Sequence, residues 1–359
     1  MRRRLNPRRG WIVGLAALAV VGCASPRYLA YTAESLRLQV RERLPELPES
    51  EIIVPFEIDP KLVKIARKAT RYQGTAHDKA RALAEALKSP KWFGLEYAWA
   101  SSGTAAETIE AGHGDCLALS SVYVGLARGI GLPAFYVDAS YRPERREEEE
   151  VIVSAGHIGV LIPTAENFTL VDFSGEMSKR RFRPIDDLEA LAHLYNNRGY
   201  EVIHRAQGSG DPVPWQDARR YFQLATQVRP DFARGWNNLG IAEGRLGNLD
   251  EAERTYREAI AMDPKLASPH LNLGNLYLER GEPEAALVDL QLAAKLDRRN
   301  PFVHYLRGRA LLQRGILDDA EKALRRSIRL KKDYPEAQSL LGEVRRQLAQ
   351  GQRTREAAN

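Results

Sequence analysis

Apolar residues recur at helical spacing in the part of the chain that precedes its middle. The segments KLVKIARKATRY and GTAHDKARALAEALKS place apolar residues three and four positions apart, which predicts two amphipathic helices. A third apolar stripe follows Cys116 and ends where Gly131 can cap a helix and Pro133 prevents its continuation.

After these helices the pattern changes to short apolar runs separated by turn or charged segments. PAFYVDAS, EVIVSAGHIGVLI and FTLVDF are rich in β-branched and aromatic residues, which predicts three antiparallel strands. The charged run ERREEEE, residues 144–150, is expected to be a solvated loop. Helices followed by strands predict an α+β domain over residues 61–198.

The C-terminal part repeats with a period of 34 residues, which four glycines mark: Gly240, Gly274, Gly308 and Gly342. Small residues at a fixed position let paired helices approach closely, so the period predicts an all-α solenoid. The pattern resembles the tetratricopeptide repeat. It predicts one degenerate unit, three regular units and a terminal helix over residues 199–350, followed by a tail over residues 351–359.

The N-terminus has the layout of a secretory signal over residues 1–22, with a basic start and a short apolar stretch. It ends in VVGC, which resembles the bacterial lipobox and implies a lipid on Cys23. That lipid would anchor the chain in a membrane, and Ala24 favours an outer-membrane address facing the periplasm. A plain secretory signal is the alternative. Residues 23–60 are predicted to be a tether and lead-in.

Charge and composition exclude several classes of function. The net charge is +6, but five arginines lie in the first ten residues, so removal of the leader leaves 6 − 5 = +1. Nucleic-acid binding needs a concentrated basic face, so no nucleic-acid partner is expected. The sequence shows no paired metal-ligand spacing and no phosphate loop, so neither a metal nor a cofactor is predicted.

Cys116 is the candidate nucleophile. With Cys23 lipidated it has no partner for an internal disulfide. It falls in the first turn of the predicted helix, where free N–H groups and the helix dipole favour a thiolate. Asp115 either opposes that charge or simply caps the helix. A buried packing cysteine is the alternative, and His113 either lines a cleft or has no role.

A nucleophilic thiolate needs a histidine and a group that orients it. If residues 163–166 form a hairpin loop, Ile162 pairs with Asn167 and the same register places His157 opposite Asp172. Cβ atoms of such a pair lie roughly 4.5 to 5.5 Å apart, close enough for a carboxylate to accept a hydrogen bond from the imidazole.

Together these residues resemble the transglutaminase-like superfamily: a helix-borne cysteine after a Gly-rich turn, ARGIGLPAFYV, then a histidine and an aspartate on successive strands. The resemblance implies a papain-like fold with Cys116 as nucleophile, His157 as general base and acid, and Asp172 as orienting carboxylate. The implied reaction is acyl transfer at a peptide or amide bond, by hydrolysis rather than cross-linking. The Cys116 N–H is one candidate oxyanion donor.

The repeat resemblance implies a concave groove lined by the first helix of each unit. The residues expected there are Arg234, Asn237, Asn238, Asn272, Asn275, Tyr305 and Arg309. Amides and arginines suit an extended peptide or its terminal carboxylate, so a protein or peptide partner is predicted. Alternatively, Asn238 and Asn272 only satisfy local backbone or solvent.

The function predicted from these features is a lipid-anchored periplasmic cysteine hydrolase, a peptidase or amidase, or an acyltransferase, whose repeats bind substrate or partner. The first alternative is a catalytically silent lipoprotein that uses its repeats as a scaffold. A second makes Cys116 a redox sensor, whose reversible oxidation alters partner binding.

Overall fold

The structure is a computed structural model. It describes residues 30–139, 144–148, 151–155, 157–165, 167–174 and 182–358. The predicted signal peptide and Cys23 lie outside the described residues. Over the described part of the chain, no helix combines the length and the apolar character that a membrane crossing requires. Two compact units emerge, one of residues 1–144 with 155–235 and one of residues 145–154 with 236–359.

The first unit contains seven helices among its described residues. They are α1 (Ala33–Arg43), α2 (Pro60–Thr70), α3 (Ala76–Lys88), α4 (Ala105–Ala111), α5 (Cys116–Gly129), α6 (Asp187–Ser209) and α7 (Trp215–Val228), with a short 3₁₀ turn at Glu49–Glu51. The strands along the chain are β1 (Glu96–Tyr97), β2 (His113–Gly114), β3 (Phe135–Asp138), β4 (Glu144–Glu148), β5 (Val151–Ala155), β6 (Ile158–Pro163), β7 (Phe168–Val171) and β8 (Arg183–Ile185).

Helix α5 forms the centre of this unit. Every residue from Cys116 to Ala127 is buried, because the apolar stripe seen in the sequence continues on all sides of the helix. Gly125 lies so close to the backbone of Phe56 that a side chain would not fit there. The Tyr123 hydroxyl donates to the carbonyl of Ala80 at 2.9 Å and so ties α5 to α3.

The main sheet is antiparallel with strand order β7-β6-β3-β8. Its hairpin register differs by two residues from the predicted one, since Pro163 pairs with Phe168 and Ile162 with Thr169. The Thr164 N–H donates to the Asn167 carbonyl at 2.8 Å and closes the turn. Successive side chains on a strand alternate between faces, so a shift of two residues keeps each side chain on its predicted face.

Two predictions around the strands are wrong. The charged run at 144–150 contains strand β4, which pairs with β5 in a separate two-stranded sheet. The long predicted strand EVIVSAGHIGVLI is divided into β5 and β6. In addition, β8 joins the edge of the main sheet as a fourth strand that the sequence pattern did not reveal.

The predicted lead-in is part of the domain rather than a tether. Leu36 and Val40 of α1 are fully buried in the main core. The Tyr31 N–H donates to Asp187 at 2.8 Å, and the same carboxylate accepts two hydrogen bonds from Arg128, at 2.8 and 2.9 Å. The predicted boundary at residue 198 falls inside α6, which continues unbroken to Ser209.

The solenoid predicted from the 34-residue period is present. Its helices are α8 (Ala233–Arg245), α9 (Leu249–Met262), α10 (Ala267–Glu279), α11 (Pro283–Leu296), α12 (Pro301–Gln313), α13 (Leu317–Leu330) and α14 (Pro335–Ala358). A Cβ atom placed on Gly274 would lie 2.6 Å from Leu290, a distance that real side chains do not reach. The close packing of α10 against α11 therefore requires glycine at position 274. Helix α14 extends through most of the predicted tail.

Candidate active site

Cys116 is the first residue of α5 and is almost buried, with 4% of its surface exposed. The Asp115 side chain caps the helix by accepting a hydrogen bond from the Ala118 N–H at 2.9 Å. The first N–H groups of a helix have no partner within the helix. The Cys116 N–H, at the first position of the helix, therefore stays a candidate oxyanion donor.

The structure brings His157 and Asp172 to the same place as Cys116. His157 lies directly before β6 and Asp172 directly after β7, and both are buried. Their hydrogen bond joins Nε2 of His157 and Oδ1 of Asp172 at 3.1 Å. The imidazole also hydrogen-bonds to the Cys116 thiol. With Nε2 engaged by Asp172, Nδ1 is the ring nitrogen left for the thiol.

The pKa values of this pair shift for opposing reasons. Burial raises the pKa of the Cys116 thiol, while hydrogen bonds from His157 and the Ile158 N–H act in the opposite direction. Burial lowers the pKa of His157, but hydrogen bonds to Asp172 and Cys116 outweigh it and raise that pKa to about 11. A protonated imidazole that can stabilise a thiolate is thus present at neutral pH. The buried sulfur limits how much thiolate forms.

Ser174 is a site residue that sequence reasoning missed. Its N–H and its hydroxyl each donate to Oδ1 of Asp172 at 3.0 Å. The hydroxyl also lies 3.3 Å from Nε2 of His157. An aspartate followed two residues later by serine can form this local side-chain to backbone bond, so the DFS sequence carried a weak signal.

A polar cavity of about 400 Å³ lies next to the start of α5. His113 lines it, and its Nδ1 is 3.1 Å from the Ser101 hydroxyl. Ser102 also lines the cavity and donates to the Asp115 carboxylate. None of Cys116, His157 and Asp172 is among the residues that line this cavity, so whether His113 has a role in the active site stays open.

Family models match two separate parts of the chain. Residues 63–167 match the core of the transglutaminase-like superfamily. Residues 245–281 match a TPR repeat model, and residues 271–335 and 305–358 match a tetratricopeptide repeat model. The chain carries a transglutaminase-like core followed by tetratricopeptide repeats. The resemblance to the transglutaminase-like superfamily and to the tetratricopeptide repeat is confirmed, as is the predicted fold class, whereas the lipoprotein signal stays a prediction.

Several solved structures are similar to this chain. MamA from residue 41 onwards, from Desulfovibrio magneticus RS-1, is 19% identical, with a TM-score of 0.38 over 46% of this chain and 89% of that one. A thermophilic TPR protein from Thermus thermophilus is 23% identical, with a TM-score of 0.36 over 42% and 81%. The first TPR of Spaghetti (RPAP3), bound to an HSP90 peptide, is 26% identical, with a TM-score of 0.32 over 33% and 93%.

One group of side chains, at the end of β3 and in α6, has the composition of a metal site. Ligand atoms of Asp138, Glu189 and His193 lie within 4.8 Å of one another, and all three residues are buried. Arg234 binds Asp138 at 2.9 Å and Arg183 binds Glu189 at 2.9 Å, so arginines already supply the positive charge that a cation would bring. Burial lowers the pKa of His193 to about 4, which keeps the ring neutral.

The predicted groove residues of the repeats lie mostly inside the structure. Asn237, Asn238, Asn272, Asn275 and Tyr305 are buried, whereas Arg234 and Arg309 are half-buried. The Asn272 amide donates to Asn237 at 3.0 Å, and the Asn237 amide donates to Asn238 at 2.9 Å. Arg234 belongs to the first unit and pairs with Asp138 as described. One amide hydrogen bond thus joins the first helices of two neighbouring repeats.

Proposed function

We propose that the chain is a cysteine hydrolase or acyltransferase acting on a peptide or amide bond. The observation that supports this most strongly is the hydrogen-bonded series of Cys116, His157 and Asp172, with the sulfur at a helix N-terminus. The three groups match the roles of nucleophile, general base and orienting acid in thiol acyl transfer. The transglutaminase-like core supports the same assignment.

The reaction follows from this geometry. Cys116 attacks the carbonyl carbon as the thiolate that protonated His157 stabilises, and the Cys116 N–H stabilises the developing oxyanion. His157 then protonates the leaving amine, which leaves a thioester on the sulfur. Water or a second amine attacks the thioester while the imidazole accepts its proton, and the sulfur leaves as a thiolate, which restores the thiolate–imidazolium pair. Asp172 keeps the ring oriented through both steps.

The repeats support protein or peptide binding. We propose that they hold the substrate or a partner protein for the core. The N-terminal VVGC sequence supports a lipid anchor on Cys23 and a position at the periplasmic face of the outer membrane. The substrate would then be a peptide or protein of that compartment.

Trapping the thioester tests the enzymatic proposal. The full chain is incubated with a synthetic peptide library and hydroxylamine, and mass spectrometry follows peptide hydroxamates and newly formed termini. Cys116→Ala and His157→Ala should each abolish these products. His204→Ala, a change at an exposed histidine of α6, should leave them unchanged. Products that persist in Cys116→Ala would contradict the proposal.

The near-complete burial of Cys116 favours a second candidate, a binding protein without turnover. A thiol that substrate cannot reach would leave the repeats as the functional part. In that case no hydroxamate forms with any variant. Partner proteins recovered by crosslinking from cell envelopes would then be the same for the wild-type chain and for Cys116→Ala.

A further inference from the structure

Asp115 is held more firmly than a helix cap requires. It is 5% exposed, and its Oδ1 accepts the capping hydrogen bond from Ala118. Its Oδ2 accepts from the Ser102 hydroxyl and from the Asn197 amide, whose nitrogen lies 3.4 Å away. Its own N–H donates to the Ser101 carbonyl at 2.9 Å. Four contacts from three parts of the chain therefore fix this residue, and three of them are made by its carboxyl.

A capping role alone does not explain a charged group at this position. Serine, threonine or asparagine caps a helix equally well through one oxygen. Here the second oxygen is bound by a loop and by α6, so the fold holds a carboxylate on the residue directly before Cys116, where its charge acts on the thiol. Two like charges side by side disfavour each other, which opposes the effect of the helix dipole.

Other charged and titratable groups surround Asp115 on each side. Glu201 faces it from α6, and Cys116 with His157 lies on the side of the sheet. The polar cavity contributes His113, the ion pair of Arg205 with Glu201, and the Arg198–Glu107 pair, joined at 2.8 Å. The charges of the acidic and basic side chains in the cavity thus balance. Glu201 still acts on Asp115 as a negatively charged neighbour.

The Asp115 carboxyl changes its charge near pH 6. Burial raises the pKa of Asp115 to about 6, hydrogen bonds from Ser102 and Ala118 oppose that shift, and Glu201 adds to it. The carboxyl is therefore largely neutral below pH 6 and negative above it. The negative form in turn raises the pKa of the Cys116 thiol.

We propose that Asp115 is a positioning residue that restrains ionisation of Cys116, so that charging Asp115 makes the thiol less reactive than the rest of its site would allow. The proposal rests on the proposed function only in taking Cys116 as a nucleophile. Asp115 does not touch the reacting carbonyl; it acts through the sulfur. Removal of the Asp115 charge should therefore change the reactivity of the Cys116 thiol itself, measured without any substrate.

The test measures alkylation of the thiol by iodoacetamide between pH 5 and pH 9, followed by intact mass. The full chain carries Cys23→Ser in every variant, which leaves Cys116 as its one thiol. At pH 5 Asp115→Asn should react within twofold of its parent. Above pH 7 it should react faster, by roughly 3- to 10-fold, because a neighbouring negative charge has been removed. Asp59→Asn, the same change at the exposed cap of α2, should match the parent at every pH.

A second variant covers the case in which Asp115→Asn does not fold. Ser102→Ala keeps the carboxyl but removes a hydrogen bond to its charged form, so the pKa of Asp115 rises further. Relative to the parent, Ser102→Ala should react faster only around pH 6 to 7, where its Asp115 is still neutral and the parent's is charged.

A rate ratio that stays constant across pH, or an Asp115→Asn variant that reacts more slowly than its parent, overturns the proposal. The outcome is separate from that of the hydroxamate assay. A chain that forms no hydroxamate can still show the pH-dependent ratio, and an active hydrolase can still show a flat one.

Discussion

The chemistry of the site depends at the residue scale on one imidazole that has two partners. His157 bonds to Asp172 on one side and to Cys116 on the other, and Ser174 donates hydrogen bonds to Asp172. The sequence could indicate the first three residues because their types and order match a known chemistry. It indicated Ser174 only weakly, because a serine after an aspartate is common in turns and its role depends on the strand register.

Ser174→Ala should weaken the site without abolishing it. The change removes the hydroxyl bond to Asp172, and a hydrogen bond of this kind contributes about 0.5 to 1.5 kcal/mol, which corresponds to roughly a 2- to 10-fold lower rate. Thioester formation should fall, measured by hydroxamate release. Ser101→Ala, which removes the hydroxyl next to His113, serves as a control with no effect on it.

Helices and repeats could be predicted where one periodic pattern extended over many residues of the sequence. The stripe through α5 and the 34-residue repeat each gave the element directly. The hairpin register could not be chosen, because a shift by two residues leaves the same side chains facing inward. Strand β8 has three residues and a central proline, too short for any alternation to be recognised. The charged run in β4 lacks the apolar alternation on which strand prediction depends.

The glycine at the repeat step gives a test of helix packing. Gly274→Ala should lower the free energy of unfolding of the repeats by about 1 to 3 kcal/mol, because its Cβ would meet Leu290 at 2.6 Å. Gly244→Ala is the matched control, since its Cβ would have ordinary contact with Ala252 at 3.7 Å and alanine favours a helix. Urea unfolding of the full chain compares them. Equal stability of the two variants would contradict the packing argument.

At the scale of the whole molecule, the sequence established which two architectures are joined. It placed their junction less well, because α6 runs through the predicted boundary and the helical pattern has no break there. The lead-in was also misjudged, since its proline-punctuated stretch hid a helix whose buried face has only two fully buried residues, Leu36 and Val40. Short amphipathic elements show their partners only after the chain has folded.

The proposed anchor predicts where the whole molecule is found. Cys23→Ala should move the chain from the membrane pellet to the soluble fraction of a bacterial host, because no lipid can be attached. Mass spectrometry of the wild-type N-terminus should show a diacylglyceryl group on Cys23. Cys116→Ala, which leaves the leader intact, should remain in the pellet. A Cys23→Ala chain that stays membrane-bound would rule out this anchor.

The hydrogen bond from the Tyr31 N–H to Asp187 also has a mechanical consequence. The Asp187 carboxylate is held by Arg128, in the last turn of α5, the helix that begins with Cys116. With the anchor that we propose at Cys23, tension on the N-terminal end of the chain would reach this buried ion pair early in its path. The force would then reach the last turn of α5, the helix that begins with Cys116. Pulling on the chain before Tyr31 would therefore strain the helix that carries the sulfur.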